Sequence, residues 1–173
     1  MINIVLYEPR MPQNTGNIMR TCVAFNMKLH IIEPISFSLD EKRVKRSGMD
    51  YILNCDYTLY PSFNDFISKN KGHYSFITRY GNKIPSDIDY NIEEDIYLIF
   101  GSEDTGVPKN ILREYPNRLI RLPMEKNSRS LNLSNCVAIL AYEVLRQRDF
   151  NDLSKYEFIK GKDYIFMEDK NEH

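Results

Sequence analysis

The sequence has no apolar run approaching the roughly 18 residues that a membrane span needs, and its first residues enter an apolar stretch without a cationic leader. A cytoplasmic protein is therefore expected. Cysteine is scarce: Cys22, Cys55 and Cys136 are odd in number, far apart in the chain and without CxxC or Cys/His spacing. That argues against a disulfide scaffold and offers no metal ligand set, which leaves buried free thiols as the expected state. An excess of charge of one sign is lacking as well. A formal net charge of −1 neither supports nor excludes a nucleic-acid partner, because the distribution of charge on the surface decides that question. No internal repeat and no low-complexity segment occurs. No G-x-G-x-x-G follows a strand, which counts against a dinucleotide-binding fold. GSEDTG at 101–106 has the glycine spacing of a phosphate loop. However, Val107-Pro108 stands where Lys-Ser or Lys-Thr would have to hold phosphate and magnesium, so a nucleotide triphosphatase is not expected.

What is present is an ordinary globular composition, 173 residues with 42% hydrophobic and 27% charged side chains, enough for one well-buried domain. INIVLY at 2–7 and DIYLIF at 95–100 are near-continuous apolar runs, the pattern of parallel strands buried on both faces. Weaker strand signals fall at 29–33, 55–60, 74–79 and 118–122. Between them lie helical patterns. One opens at Asn14-Thr15-Gly16-Asn17 and carries an inner stripe of Ile18, Cys22 and Phe25, with Arg20 off the stripe. Others cover 40–46, strongly basic, then 62–70 and 108–115, the last with Pro108 at its first turn. The longest spans 132–148, capped by Asn132 and Ser134 and buried along Leu133, Val137, Leu140, Ala141, Val144 and Leu145. Residues 84–94 read as an irregular connection with at most a short helical turn. Strand and helix signals alternate throughout, so the expected fold class is α/β, a mostly parallel sheet with helices on both faces. From Phe150 onward the composition shifts to charged and aromatic residues. Residues 151–173 read as an appended tail in which Phe158, Ile159, Tyr164 and Phe166 lie across the body or a partner.

Three polar, Gly- or Asn-rich loops each follow a strand, at 8–17, 101–107 and 123–132. Each has a bland reading when taken alone: a strand-to-helix turn with Glu103 as a solvated carboxylate, or an N-capped helix with a surface arginine. Together they suggest one cleft, because ligands of open α/β sheets bind outside the carboxyl ends of the strands, where helix starts present backbone N–H groups.

At these loops NTGNIMRTC, FGSEDTGVP and IRLPMEKNSRSLNLSNCVAILAYE, in that order, resemble the three motifs of the SPOUT class of RNA 2′-O-ribose methyltransferases. Within that class the match is to the small tRNA wobble-position (cytidine/uridine) enzymes, and it runs from Met1 to about Phe150 as a single domain. The resemblance implies a deep C-terminal trefoil knot, a rare exception to un-knotted topology. It implies S-adenosyl-L-methionine as cofactor, no metal, and tRNA as substrate, with leucine tRNAs the expected class. The cofactor would be held by Ile77, Thr78, Gly101, Glu103, Gly106, Leu122, Met124, Ser130, Leu131 and Asn132. Arg20 and Asn14 are the catalytic candidates by the same resemblance. Homodimerisation would bring Arg20 of one subunit to the cofactor of the other. Lys42, Arg43, Lys45 and Arg46 form a basic cluster suited to RNA phosphates, or a solvated helix face. Two positions depart from the family pattern: Asp104, where many relatives carry threonine, and Val107, where leucine is common.

Overall fold

Side chains alternate across each strand, and this sorts the core into two layers. In β1 (Ile2–Tyr7) Ile4 and Leu6 join one apolar cluster and Val5 the other, all three at 1% exposure or less. In β5 (Ile96–Phe100) Leu98 and Phe100 follow the first cluster, Tyr97 and Ile99 the second. Both apolar runs are thus the doubly covered strands that their composition predicts. The computed structural model describes residues 1–39 and 54–167, so the basic helix expected at 40–46 lies outside the described residues. The other elements are α1 (Pro12–Ala24), β2 (Lys28–Ile32), β3 (Tyr57–Tyr60), α2 (Phe63–Lys69) and β4 (His73–Ile77). They continue with α3 (Lys109–Glu114), β6 (Leu119–Ile120) and α4 (Leu133–Gln147). All strand pairs are parallel and the order is β3-β2-β1-β5-β4-β6.

Helices α1 and α4 cover one face, where Ile18, Met19 and Cys22 meet Val137, Leu140, Ala141 and Val144. Residues of α2 and α3, among them Phe63, Phe66, Ile111 and Leu112, cover the other. Local capping sets the helix ends as the sequence suggests. Ser62 accepts from Asp65 N at 3.1 Å, and Asn132 Oδ1 accepts from Ser134 N at 2.9 Å and from Asn135 N at 3.4 Å. Residues 84–94 contain one short 3₁₀ turn, Pro85–Asp87.

Three expectations need correction. Helix α1 begins at Pro12 rather than at Asn14; proline fits the first turn, where its missing N–H costs nothing, and Asn14 is left to bond elsewhere. The last strand is two residues long, because Arg118 closes a 3₁₀ turn (Pro116–Arg118) and Arg121 N turns to Lys83 O at 2.8 Å. Tail residues Phe158, Ile159 and Phe166 are 90%, 91% and 79% exposed, so they do not lie across the body. The expected buried free thiols are found at Cys22 and Cys55, which are neighbours in the fold although far apart in the chain; their mutual hydrogen bond together with burial pushes the Cys22 thiol well up.

Candidate functional site

The strand order reverses between β1 and β5: the chain runs outward from β1 to β3, then returns to lay β5 against β1. Such a switch point opens a crevice at the carboxyl ends of the strands, and here the loops after β1 and β5 meet in it. The Glu103 carboxylate accepts from Arg10 N at 2.8 Å, from Met11 N at 3.2 Å and from Asn14 Nδ2 at 3.0 Å. Glu103 is therefore not a solvated carboxylate. Burial pushes its pKa up, but these hydrogen bonds outweigh burial and hold it below the ordinary carboxylate value. Asn14, 4% exposed, accepts in turn from Asn132 Nδ2 at 2.9 Å. One chain of side-chain bonds thus ties the loop after β5, helix α1 and the cap of α4 together.

Beside this relay lies a cavity of about 700 Å³, within the size range of small-molecule and cofactor sites. All ten positions expected to hold a cofactor line it: Ile77 at the end of β4 and Thr78 just after it; Gly101, Glu103 and Gly106 after β5; and Leu122, Met124, Ser130, Leu131 and Asn132 after β6. Asn14 lines it too. Ile77 and Leu122 supply apolar wall, while Ser130 and Asn132 supply hydroxyl and amide groups. A nucleoside with a polar extension suits that combination of apolar and hydrogen-bonding surface. Among the described residues no cluster of His, Cys, Asp or Glu could hold a metal ion, and no helix is long and apolar enough to cross a membrane.

The two glycines of the 101–106 loop act differently from each other. A Cβ on Gly101 would fall 2.2 Å from Gly106 C and from Val107 N, so Gly101 is needed for the loop to close on itself. Gly106 has φ +71° with open space where a Cβ would stand, and glycine is needed there for the left-handed backbone. Asp104 braces the same turn by accepting from the Ser102 hydroxyl and from Thr105 N at 2.9 Å. The Ser102 hydroxyl is the chief cause holding the Asp104 carboxyl below its ordinary value. Val107, 5% exposed, packs into the second core cluster.

Arg20 is not brought to this cavity. It is exposed on α1 and absent from the lining. Six helical residues separate it from Asn14, about 9 Å along the axis and about 240° around it, so the two side chains leave different faces. Lys42, Arg43, Lys45 and Arg46 lie outside the described residues. The cavity also recruits Met11, Arg79, Tyr80, Arg121, Arg129 and Cys136, which the motif reading passed over. Arg79 and Tyr80 carried a faint signal as a cation and an aromatic beside a glycine turn.

Fold and cavity together define an α/β protein that holds a nucleoside-sized ligand at the carboxyl ends of parallel strands. The SpoU rRNA methylase family matches residues 1–142, and the chain belongs to that family. The tRNA (cytidine(34)-2′-O)-methyltransferase of Escherichia coli K12 is 42% identical over 149 residues, 85% of this chain and 94% of that protein. A structure solved for the 2-OH methylation of C/U34 on tRNA superposes with TM-score 0.78 at 35% identity, covering 87% of this chain and 98% of the other. An AdoMet-bound rRNA methyltransferase from Sinorhizobium meliloti superposes with TM-score 0.73 at 25% identity, covering 84% of this chain and 56% of the other. The SPOUT-class resemblance read from the three motifs is thereby borne out.

Proposed function

We propose that this protein methylates the ribose 2′-oxygen of the wobble nucleotide of tRNA, with S-adenosylmethionine as donor. The observation that carries this reading is the convergence of all ten expected cofactor positions, with Asn14, on one cavity. Family membership and the E. coli relative support the substrate class.

The cofactor supplies a methyl group already activated on sulfonium; the chain has to align the ribose oxygen and assist loss of its proton. Ile77 and Leu122 would wall the adenosine, and Ser130 together with the backbone at Asn132 would hydrogen-bond to it. Asn14 is a positioning residue, since its amide is committed to Glu103 on one side and Asn132 on the other. A guanidinium stays protonated in proteins, so Arg20 positions a phosphate and stabilises the developing alkoxide.

Arg20 lies outside the cavity of its own chain, which favours a homodimer in which it serves the partner's cofactor. Ile139 and Tyr142 on α4 are 48% and 54% exposed, an aliphatic and aromatic face suited to that contact. Val144, on the inner stripe of α4, is fully buried in the chain's own core and plays no part. Contact of Lys42, Arg43, Lys45 and Arg46 with RNA phosphates rests on sequence alone. Ile120 O accepts from Thr78 N at 2.9 Å while Arg121 N donates to Lys83 O at 2.8 Å. The chain at 120–121 is thus held between both ends of one loop, a placement that supports the trefoil knot implied by the resemblance.

The test is primer extension at limiting nucleotide on total tRNA incubated with the protein and S-adenosylmethionine. A new stop at the wobble ribose is expected. No stop, or one only at another position of tRNA, refutes the proposal.

A further inference from the structure

Tyr80 is 65% exposed, yet the loop that carries it is fixed at several points. Tyr80 N donates to Thr78 Oγ1 at 3.3 Å, Gly81 N to Thr78 O at 3.2 Å, and Arg121 Nη1 to Arg79 O at 2.6 Å. Gly81 lies so close to the Ile120–Arg121 backbone that a Cβ on it would fall 2.4 Å from Ile120 C. An aromatic ring is thus left in water on a rigid loop at the mouth of the cavity, where burial in the chain's own core does not account for it. The Arg79 guanidinium stands over the ring, its carbon 5.6 Å from the centroid, within cation–π range. Arg121 and Arg129 also line the cavity.

Resting on the proposed RNA-methylating function, we propose that Tyr80 is a stacking platform for a base of the RNA next to the target nucleotide. In this arrangement Arg79 backs one face of the ring, and Arg121 and Arg129 face the phosphates. Single-stranded RNA is recognised in this way, by bases splayed onto aromatic rings inside a cationic groove. The competing occupant of the ring is the adenine of the cofactor, and charge argues against it. S-adenosylmethionine carries two positive groups and one negative, so three guanidinium groups at the mouth repel it on balance, whereas they attract a polyanion. Glu103 and Asp104 line the same cavity and stay ionised, so the lining carries three guanidinium and two carboxylate charges, a net excess of one positive charge that still favours a polyanion over a cofactor of net positive charge.

The experiment compares Tyr80→Ala and Tyr80→Phe in the full-length protein. It measures KM for tRNA, the affinity for S-adenosylmethionine by calorimetry, and anisotropy of a labelled anticodon stem-loop without cofactor. Tyr80→Ala is expected to raise the tRNA KM and the stem-loop Kd by about tenfold, roughly 1.4 kcal/mol. Tyr80→Phe, which keeps the ring, should stay within about twofold of the parent, and neither variant should alter cofactor affinity. An unchanged stem-loop Kd in Tyr80→Ala overturns the platform. Weakened cofactor binding with unchanged RNA binding assigns the ring to the cofactor and overturns it equally. If the parent protein transfers no methyl group to tRNA, the functional reading fails, and the stem-loop measurement still decides whether Tyr80 stacks on RNA.

Discussion

Acidification from pH 7.5 to pH 5 is expected to destabilise the protein through one histidine. His30 is 2% exposed, with its ring 5.5 Å from Tyr60, 5.5 Å from Phe66 and 5.7 Å from Tyr97 between centroids. Asn3 Nδ2 donates to Ile96 O at 3.2 Å, so Asn3 Oδ1 accepts from His30 Nε2 at 3.2 Å. His30 Nδ1 stands 2.8 Å from the Tyr60 hydroxyl, whose single proton is shared between Nδ1 and Asn70 Oδ1 at 3.4 Å. A second proton on the ring would place a full charge among three aromatic rings, out of reach of solvent. Burial, with a smaller contribution from the Lys28 charge, lowers the pKa from 6.5 to about 4. The folded pKa lies below the unfolded one, so the stabilisation is complete above pH 6.5 and declines as pH falls toward 4. Each pH unit in that window removes about 1.4 kcal/mol, hence about 2 kcal/mol between pH 6.5 and pH 5. The assay is urea unfolding at both pH values for the parent and for His30→Gln, which does not titrate. The stability gap between the two proteins should shrink by about 2 kcal/mol at pH 5. Equal pH slopes in the two proteins would refute the argument.

Gly101→Ala should deform the 101–106 loop, because its Cβ would stand 2.2 Å from backbone atoms that cannot yield separately. Cofactor binding by calorimetry should fall at least about tenfold, a loss of roughly 1.4 kcal/mol, and parental affinity would contradict the role given to this glycine. Arg20→Ala should leave cofactor affinity unchanged and slow methyl transfer by on the order of 10²-fold. Loss of cofactor affinity with the saturated rate retained would place Arg20 elsewhere. Co-expression of Arg20→Ala with Ser130→Trp should recover up to roughly a quarter of parental specific activity, since half the dimers are mixed and each rebuilds one of its two sites. Sites complete within one chain would recover nothing.

The sequence by itself determined those features whose cause is short-range. Two strands buried on both faces were legible in INIVLY and DIYLIF because period and composition are local. The bounds of α4 were legible because Asn132 caps a helix from its own side chain. The local pattern showed that three polar loops follow strands, whose parallel pairing brings their carboxyl ends to one edge; the individual residues lining the cavity were named through the resemblance of the motifs. Tertiary structure decided everything that depends on crossovers. Strand order lays β5 against β1, and only that adjacency turns Glu103 from a loop carboxylate into the acceptor for Arg10 N, Met11 N and Asn14. The inner stripe of α4, Val144 included, was legible, but neither its packing partner α1 nor the exposure left at Ile139 and Tyr142 was, because both depend on how the helices meet. Nor does a short polar turn reveal that Arg79 and Tyr80 stand at the mouth of the cavity. They stand there because the chain at Ile120–Arg121 passes between Thr78 and Lys83, a long-range crossing that no local pattern encodes.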